Sequence, residues 1–152
     1  MIKIQVETII NKDIKTVWEN WTKPESIKNW CFASTDWGVG NVENDVKVHG
    51  RFLTNMRALD GSFAFDFTGE YIEVEEYKKL KYKMDKGENE EVNRECEVLF
   101  QEIEIVKEGG GFAAAQTKII EIFDSESVNN IEMQKAGWQS ILDNFKKFVE
   151  KI

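Results

Sequence analysis

Histidine, cysteine and proline are scarce in this chain: 152 residues hold one, two and one of them. The two cysteines, Cys31 and Cys96, lack CxxC spacing, and with His49 they are too few for a zinc site in any recognisable pattern. No motif supports a carboxylate-based metal site, and no cofactor is expected. Positive charge is also short, with 20 Lys and Arg against 28 Asp and Glu and a net charge of -8. That balance argues against binding to nucleic acid or to an anionic membrane surface. No apolar run approaches the roughly 18 residues of a membrane span, and the opening MIKIQVETII has no apolar signal core. A cytoplasmic protein with reduced thiols is expected. Hydrophobic residues at 41% and charged residues at 32% describe an ordinary globular chain, read as a single domain over residues 1–152.

Periodicity then orders the elements. Ile2, Ile4, Val6, Thr8 and Ile10 alternate with polar residues as a half-buried strand. From Asp13 to Trp21 the spacing becomes helical, and a second short helix opens at Pro24 and runs to about Trp30. Val46–Leu59 reads as a strand entering a tight hairpin at Asp60-Gly61. The return strand carries Phe63, Phe65 and Phe67 on one face, and a phase change at Gly69 predicts a β-bulge there. Leu80, Tyr82 and Met84 form a further strand, and Asp85–Glu91 is a turn. Val92–Val106 and Phe112–Phe123 are the last strands, joined through Gly109, Gly110 and Gly111.

The chain ends in an amphipathic helix over Asn129–Ile152, with Asn129 and Glu132 as its capping signature and an apolar stripe from Ile131 to Ile152. Only strands precede this stripe through the middle of the chain, so the helix must lie across a curved antiparallel sheet. The order β-α-α-β-β-β-β-β-β-α therefore predicts an α+β fold in which the long C-terminal helix lies across a curved antiparallel sheet of six to seven strands. A space between sheet and helix is where function would lie.

Several segments resemble one family. Val17-Trp18-Glu19-Asn20-Trp21-Thr22-Lys23-Pro24-Glu25 through Trp30 is similar to the VWxxWTxPExxxxW opening of the activator of heat-shock-protein-90 ATPase homologue (AHSA-like) family. Asp45 with Gly50-Arg51-Phe52 and Met56, then Asp60-Gly61, Gly69-Glu70-Tyr71 and Leu80, continue the likeness in order. Gly137-Trp138 through Phe145 resembles its GWxxxLxxL helix. His49 stands where the family usually has glycine and Lys47 where it often has arginine, and residues 85–116 depart from the pattern. The resemblance implies the START-like, Bet v 1-like (SRPBCC) helix-grip fold, whose members include chaperone cofactors, lipid and hormone carriers, and aromatase or cyclase-like enzymes.

The residues themselves supply candidates for a ligand site. Trp30 and Trp37 flank a loop over Cys31–Asp36, while Trp18 and Trp21 read as anchors of the short helices. Phe52 and Met56 face the same way on their strand, as do Phe65 and Phe67 on the next. Glu121 lies in phase with Ile119 and Phe123, which makes it an inward acid. Trp138, Ile141, Leu142 and Phe145 form the helix face that serves core and ligand alike. Gly137 weakens a helix interior by roughly 1 kcal/mol, which close packing against the sheet or room for a ligand would explain. Asp45, Arg51, Asp66 and Glu70 read as a solvated outer face, with Arg51 ready to pair with an acid. His49 is the one group titrating near neutrality, but it lacks a fixed carboxylate partner, and Cys31 lacks a base.

Three functions compete: binding of a small apolar or amphipathic ligand, stimulation of a heat-shock chaperone's ATPase, and cyclase or dehydratase chemistry. No pair of titratable groups at a diagnostic spacing supports the last, and no catalytic residue is assigned.

Overall fold

A computed structural model describes residues 1–86 and 93–152. Its elements are β1 (Lys3–Ile10), α1 (Ile14–Thr22), α2 (Pro24–Ile27), β2 (Trp37–Asn44), β3 (Arg51–Ala58), β4 (Ala64–Glu75), β5 (Lys79–Met84), β6 (Glu95–Val106), β7 (Phe112–Asp124) and α3 (Ile131–Val149). All seven strands join one antiparallel sheet in the order β1-β7-β6-β5-β4-β3-β2. This is the helix-grip arrangement. The sheet curls, and α1 and α3 cover its concave side.

Side-chain alternation places the core. Ile4, Val6 and Ile10 of β1, Val98 and Phe100 of β6, and Ile119 and Phe123 of β7 are buried on the inner face. Against them pack Val17 and Trp18 of α1, and Leu142, Phe145 and Val149 of α3. Asp13 starts α1 by accepting the Thr16 backbone N–H at 3.2 Å and the Thr16 hydroxyl at 2.7 Å. Those bonds hold its carboxyl below the usual range. The cap of α3 is Asn130, not Asn129, with its side chain accepting the Met133 N–H at 2.8 Å. Asn129 lies one residue before the cap, and its own N–H donates to the Glu126 carboxylate at 2.8 Å.

The middle of the sheet departs from the periodicity reading at four points. The strand β2 had no predicted bounds, since Gly38, Gly40 and Asn41 give it a loop's composition. Residues 45–50 form the connection before β3, so the strand begins at Arg51 and not at Val46. The β3–β4 connection spans residues 59–63 and is not a two-residue hairpin. Only Gly61 there takes positive φ (+78°), and the Ala58 N–H reaches across to the Phe63 carbonyl at 2.9 Å. Finally, the bulge lies between Tyr71 and Glu73, beyond Gly69. The predicted turn over Asp85–Glu91 and the start of the next strand at Val92 fall largely outside the described residues.

Gly69 has a different reason. A Cβ built there would sit 2.5 Å from the Lys83 carbonyl oxygen and 2.7 Å from the Phe52 ring. The glycine lets Phe52 lie flat across β4, where it contacts Tyr71 and Tyr82 at centroid distances of 5.4 and 4.9 Å. Gly69→Ala is therefore expected to destabilise the protein by about 2–3 kcal/mol through overpacking. A urea titration showing an unchanged midpoint would contradict this.

Candidate functional site

The sheet and α3 do not meet along their whole length. The helix packs chiefly on β1 and α1, while β2 to β5 curl away from it. Between them lies a cavity of about 620 Å³. Its floor is Trp138, whose ring stacks on Phe123 with centroids 3.9 Å apart and planes 9° from parallel. Phe52, Phe67, Tyr71 and Tyr82 form the sheet wall, Trp21, Trp30 and Cys31 the wall below the short helices, and Trp37, Met56 and Phe65 one rim. Residues Val128, Asn129 and Met133 form the opposite rim at the start of α3.

Most of the candidates are brought together here: Trp30, Trp37, Phe52, Met56, Phe65, Phe67, Trp138 and Ile141 all line the cavity, as does Glu121. Three do not. Phe123 lies beneath Trp138, Leu142 is enclosed by the core, and Phe145 is held between Trp21 and Trp30 at 4.9 and 4.8 Å. All three are fully buried. A helical stripe identifies the buried face of α3, but only its N-terminal half overhangs the space. Trp30 serves twice, since its indole N–H also donates to the Asn20 carbonyl at 3.1 Å. Phe63 stays on the surface at 60% exposure, edge-on to Trp37.

Gly137 settles between its two explanations. A Cβ there meets no atom within 4 Å, so close packing against the sheet is not its reason. It borders the cavity.

Polar groups are few. The sheet register puts Glu121 in a transverse row with Val6 on one side and Val98, then Leu80, on the other. Its residue is 5% exposed, and among the described residues no hydrogen bond or ion pair reaches its carboxyl. Burial in this apolar row pushes it up to about 8. Cys31, half-buried nearby, is raised to about 12 by burial and by the Glu121 charge, so it is no thiolate nucleophile. Tyr71 donates to the Asn44 side-chain oxygen at 2.6 Å, and the Asn44 amide donates to the Thr22 carbonyl at 2.8 Å. This relay ties β2 and β4 to the end of α1.

The remaining candidates lie elsewhere. His49 is exposed in the β2–β3 connection, with Nδ1 3.1 Å from Glu70 Oε2. Arg51 pairs with Asp85 and stands 4.0 Å from Glu70 on the outer face. Asp45 pairs with Lys47 at 3.5 Å, and Asp66 accepts from Asn55 at 2.9 Å, both in solvent. No group of three or more metal-ligating side chains occurs among the described residues. Lining residues missed by sequence reading include Asn44, Tyr71, Tyr82, Met84, Arg94, Glu126 and Gln134. Tyr71 is in phase with Gly69, a signal hidden by placing the bulge at Gly69 and not after Tyr71, whereas the phase of Tyr82 with Leu80 was visible in the sequence.

The comparisons with known proteins agree with this architecture. No curated protein matches the chain. The solution NMR structure of the AHSA1-like protein from Aeromonas hydrophila is similar at 39% identity, with a TM-score of 0.80, over 99% of this chain and 93% of that one. The solution structure of Chr148 from Cytophaga hutchinsonii is 36% identical with a TM-score of 0.74, over 98% and 92% of the two chains. A Staphylococcus aureus protein of unknown function, SA2116, shares the fold at 20% identity and a TM-score of 0.65, over 99% and 94%. The family model described as "Activator of Hsp90 ATPase homolog 1-like protein" matches residues 11–150. By that match, and by the Aeromonas relative, the chain belongs to the Activator of Hsp90 ATPase homolog 1-like family.

Proposed function

We propose that this protein acts as a single-domain binder of a small apolar or amphipathic molecule held between the sheet and α3. The observation that carries this reading is the space of about 620 Å³ with aromatic walls and one donor-less acid. That volume falls within the roughly 300–1,000 Å³ of small-molecule sites, and sites of this kind combine apolar walls with a few polar groups. Catalysis has less support. Among the described residues Glu121 has no titratable partner placed as a base, and His49 lies on the outer surface. The family description supports a second reading, a cofactor that stimulates a heat-shock ATPase through its outer face. An ATPase assay with the cognate chaperone that showed no stimulation would remove it.

A thermal-shift or native mass spectrometry screen across lipids, flat aromatics and polyketide-like compounds tests the cavity reading. Gly137→Leu makes the test specific, because its side chain enters open space at a helix position where leucine is a better former than glycine. The variant is expected to gain up to about 1 kcal/mol of stability and to lose at least about tenfold in affinity for any hit. Unchanged affinity would mean that the ligand sits elsewhere.

Glu121 gives the protein a stability profile of definite sign. The folded carboxyl keeps its proton to about 8, whereas in the unfolded chain it ionises near 4.5, the ordinary value for a glutamate. Between those values the unfolded state binds fewer protons, so stability falls as pH rises, by up to about 1.4 kcal/mol per unit. The contribution is complete below the lower value and lost through the upper one. Glu121→Gln is expected to flatten that slope, so that its urea midpoint exceeds the wild-type midpoint increasingly from about pH 5 to about pH 8. Parallel profiles for the two proteins would show that Glu121 ionises normally.

A further inference from the structure

The cavity borders three charged side chains, Arg94, Glu121 and Glu126, and they are not equivalent. Arg94 donates through Nε to the Asp124 carbonyl at 3.2 Å and lies in the field of Glu126. Glu126 accepts the backbone N–H groups of Val128 and Asn129, each at 2.8 Å; against the burial that would raise it, these bonds hold it low. Both are occupied by the fold. Glu121 alone meets the cavity with no donor from the described residues.

The groups around Glu121 offer no compensating charge. Val6 of β1 and Val98 of β6 flank it, and the titratable groups that sense its charge are Cys31, Tyr82 and Cys96. Burial raises all three, so each is neutral at neutral pH. Rings of Trp30, Phe52, Phe67, Tyr82 and Trp138 make up much of the remaining wall. Aromatic faces attract cations, and a desolvated carboxylate is stabilised most by a cation in contact. The net charge of -8 acts in the same direction at longer range.

Resting on the cavity-binding reading, we propose that Glu121 is the polar contact of the site and that the occupant is an amphipathic cation. Its basic nitrogen donates to the Glu121 carboxylate, and its flat or apolar body lies among the rings. The ligand arrives as an ammonium and Glu121 gives its proton to solvent, so one proton is released for each ligand bound while the free carboxyl is protonated. Binding therefore tightens as pH rises towards about 8.

Three matched probes test this on the intact protein: 9-(aminomethyl)anthracene, 9-anthracenemethanol and 9-anthracenecarboxylate, titrated by fluorescence and by calorimetry in phosphate and Tris at neutral pH. The amine is expected to bind at least about tenfold tighter than the alcohol, with the carboxylate weakest. The two buffers should differ by the heat of close to one released proton. Glu121→Gln should abolish the amine's advantage over the alcohol and the proton release that accompanies it. An alcohol or carboxylate that binds as well as the amine overturns the inference but leaves the cavity reading intact, and so does a variant that keeps the amine's advantage. If none of the three binds, the inference falls, and the broader screen decides whether the cavity reading falls with it. Should the variant fail to fold, the wild-type probe series and its proton release still decide.

Discussion

An α-helix with its side chains is about 10–12 Å across, whereas seven strands spaced about 4.8 Å apart present a face roughly 30 Å wide. One long helix cannot cover such a face. In this chain α3 settles against β1 and α1, at the side of the sheet where β1, β7 and β6 supply the deepest core residues. The strands β5, β4 and β3 then have no helix packed closely on them, and β2 meets only the short α2. Curling brings their inner face round to α3 without closing the gap, because the intervening width is bridged by ring contacts such as Phe67 with Trp138 at 6.4 Å. The cavity is thus a consequence of having more sheet than helix.

Aromatic residues divide between the two consequences of that geometry. Trp18 lies edge-on to Phe100 at 5.1 Å, and Trp21 and Trp30 clasp Phe145, so the short helices are locked to β6 and α3. A four-residue helix such as α2 has no independent stability and exists because these rings hold it. The second set, around Phe52, Tyr71 and Tyr82, packs ring on ring across the strands and stiffens the wall facing the space. Walls held this way are ordered by the fold itself, which would lower the ordering cost of the binding proposed above.

Element order was legible because period-2 and period-3.6 patterns are properties of local sequence, and they survive in β1, α1, β7 and α3. The strand β2 was not, since an edge strand containing Gly38 and Gly40 carries little of that signal. Position 49 is instructive in the other direction. The departure from the family's glycine is visible in sequence, but its meaning is structural: His49 sits at φ +68°, a conformation a glycine adopts freely. Within the site, the inward phase of Glu121 could be read from Ile119 and Phe123. The separation of Ile141 and Trp138 from Leu142 and Phe145 could not, because it depends on how far along α3 the sheet has curled away.

Glu121 is the position where local rules and the fold disagree. A row running Val6, position 121, Val98, Leu80 would be served by valine, which would bury its side chain with no charge to desolvate. A glutamate there weakens the folded state at any pH where it would ionise in the unfolded chain. Elsewhere the fold equips its inward polar groups with partners: Asn44 accepts from Tyr71, Thr117 donates to the Lys12 carbonyl, and Gln134 donates to the carbonyls of Glu126 and Asn129. Among the described residues Glu121 has no such provision, and it is placed where the sheet meets open space. Departures from local consistency of this kind are concentrated at functional sites, and the proposed cation would supply the interaction that folding leaves out.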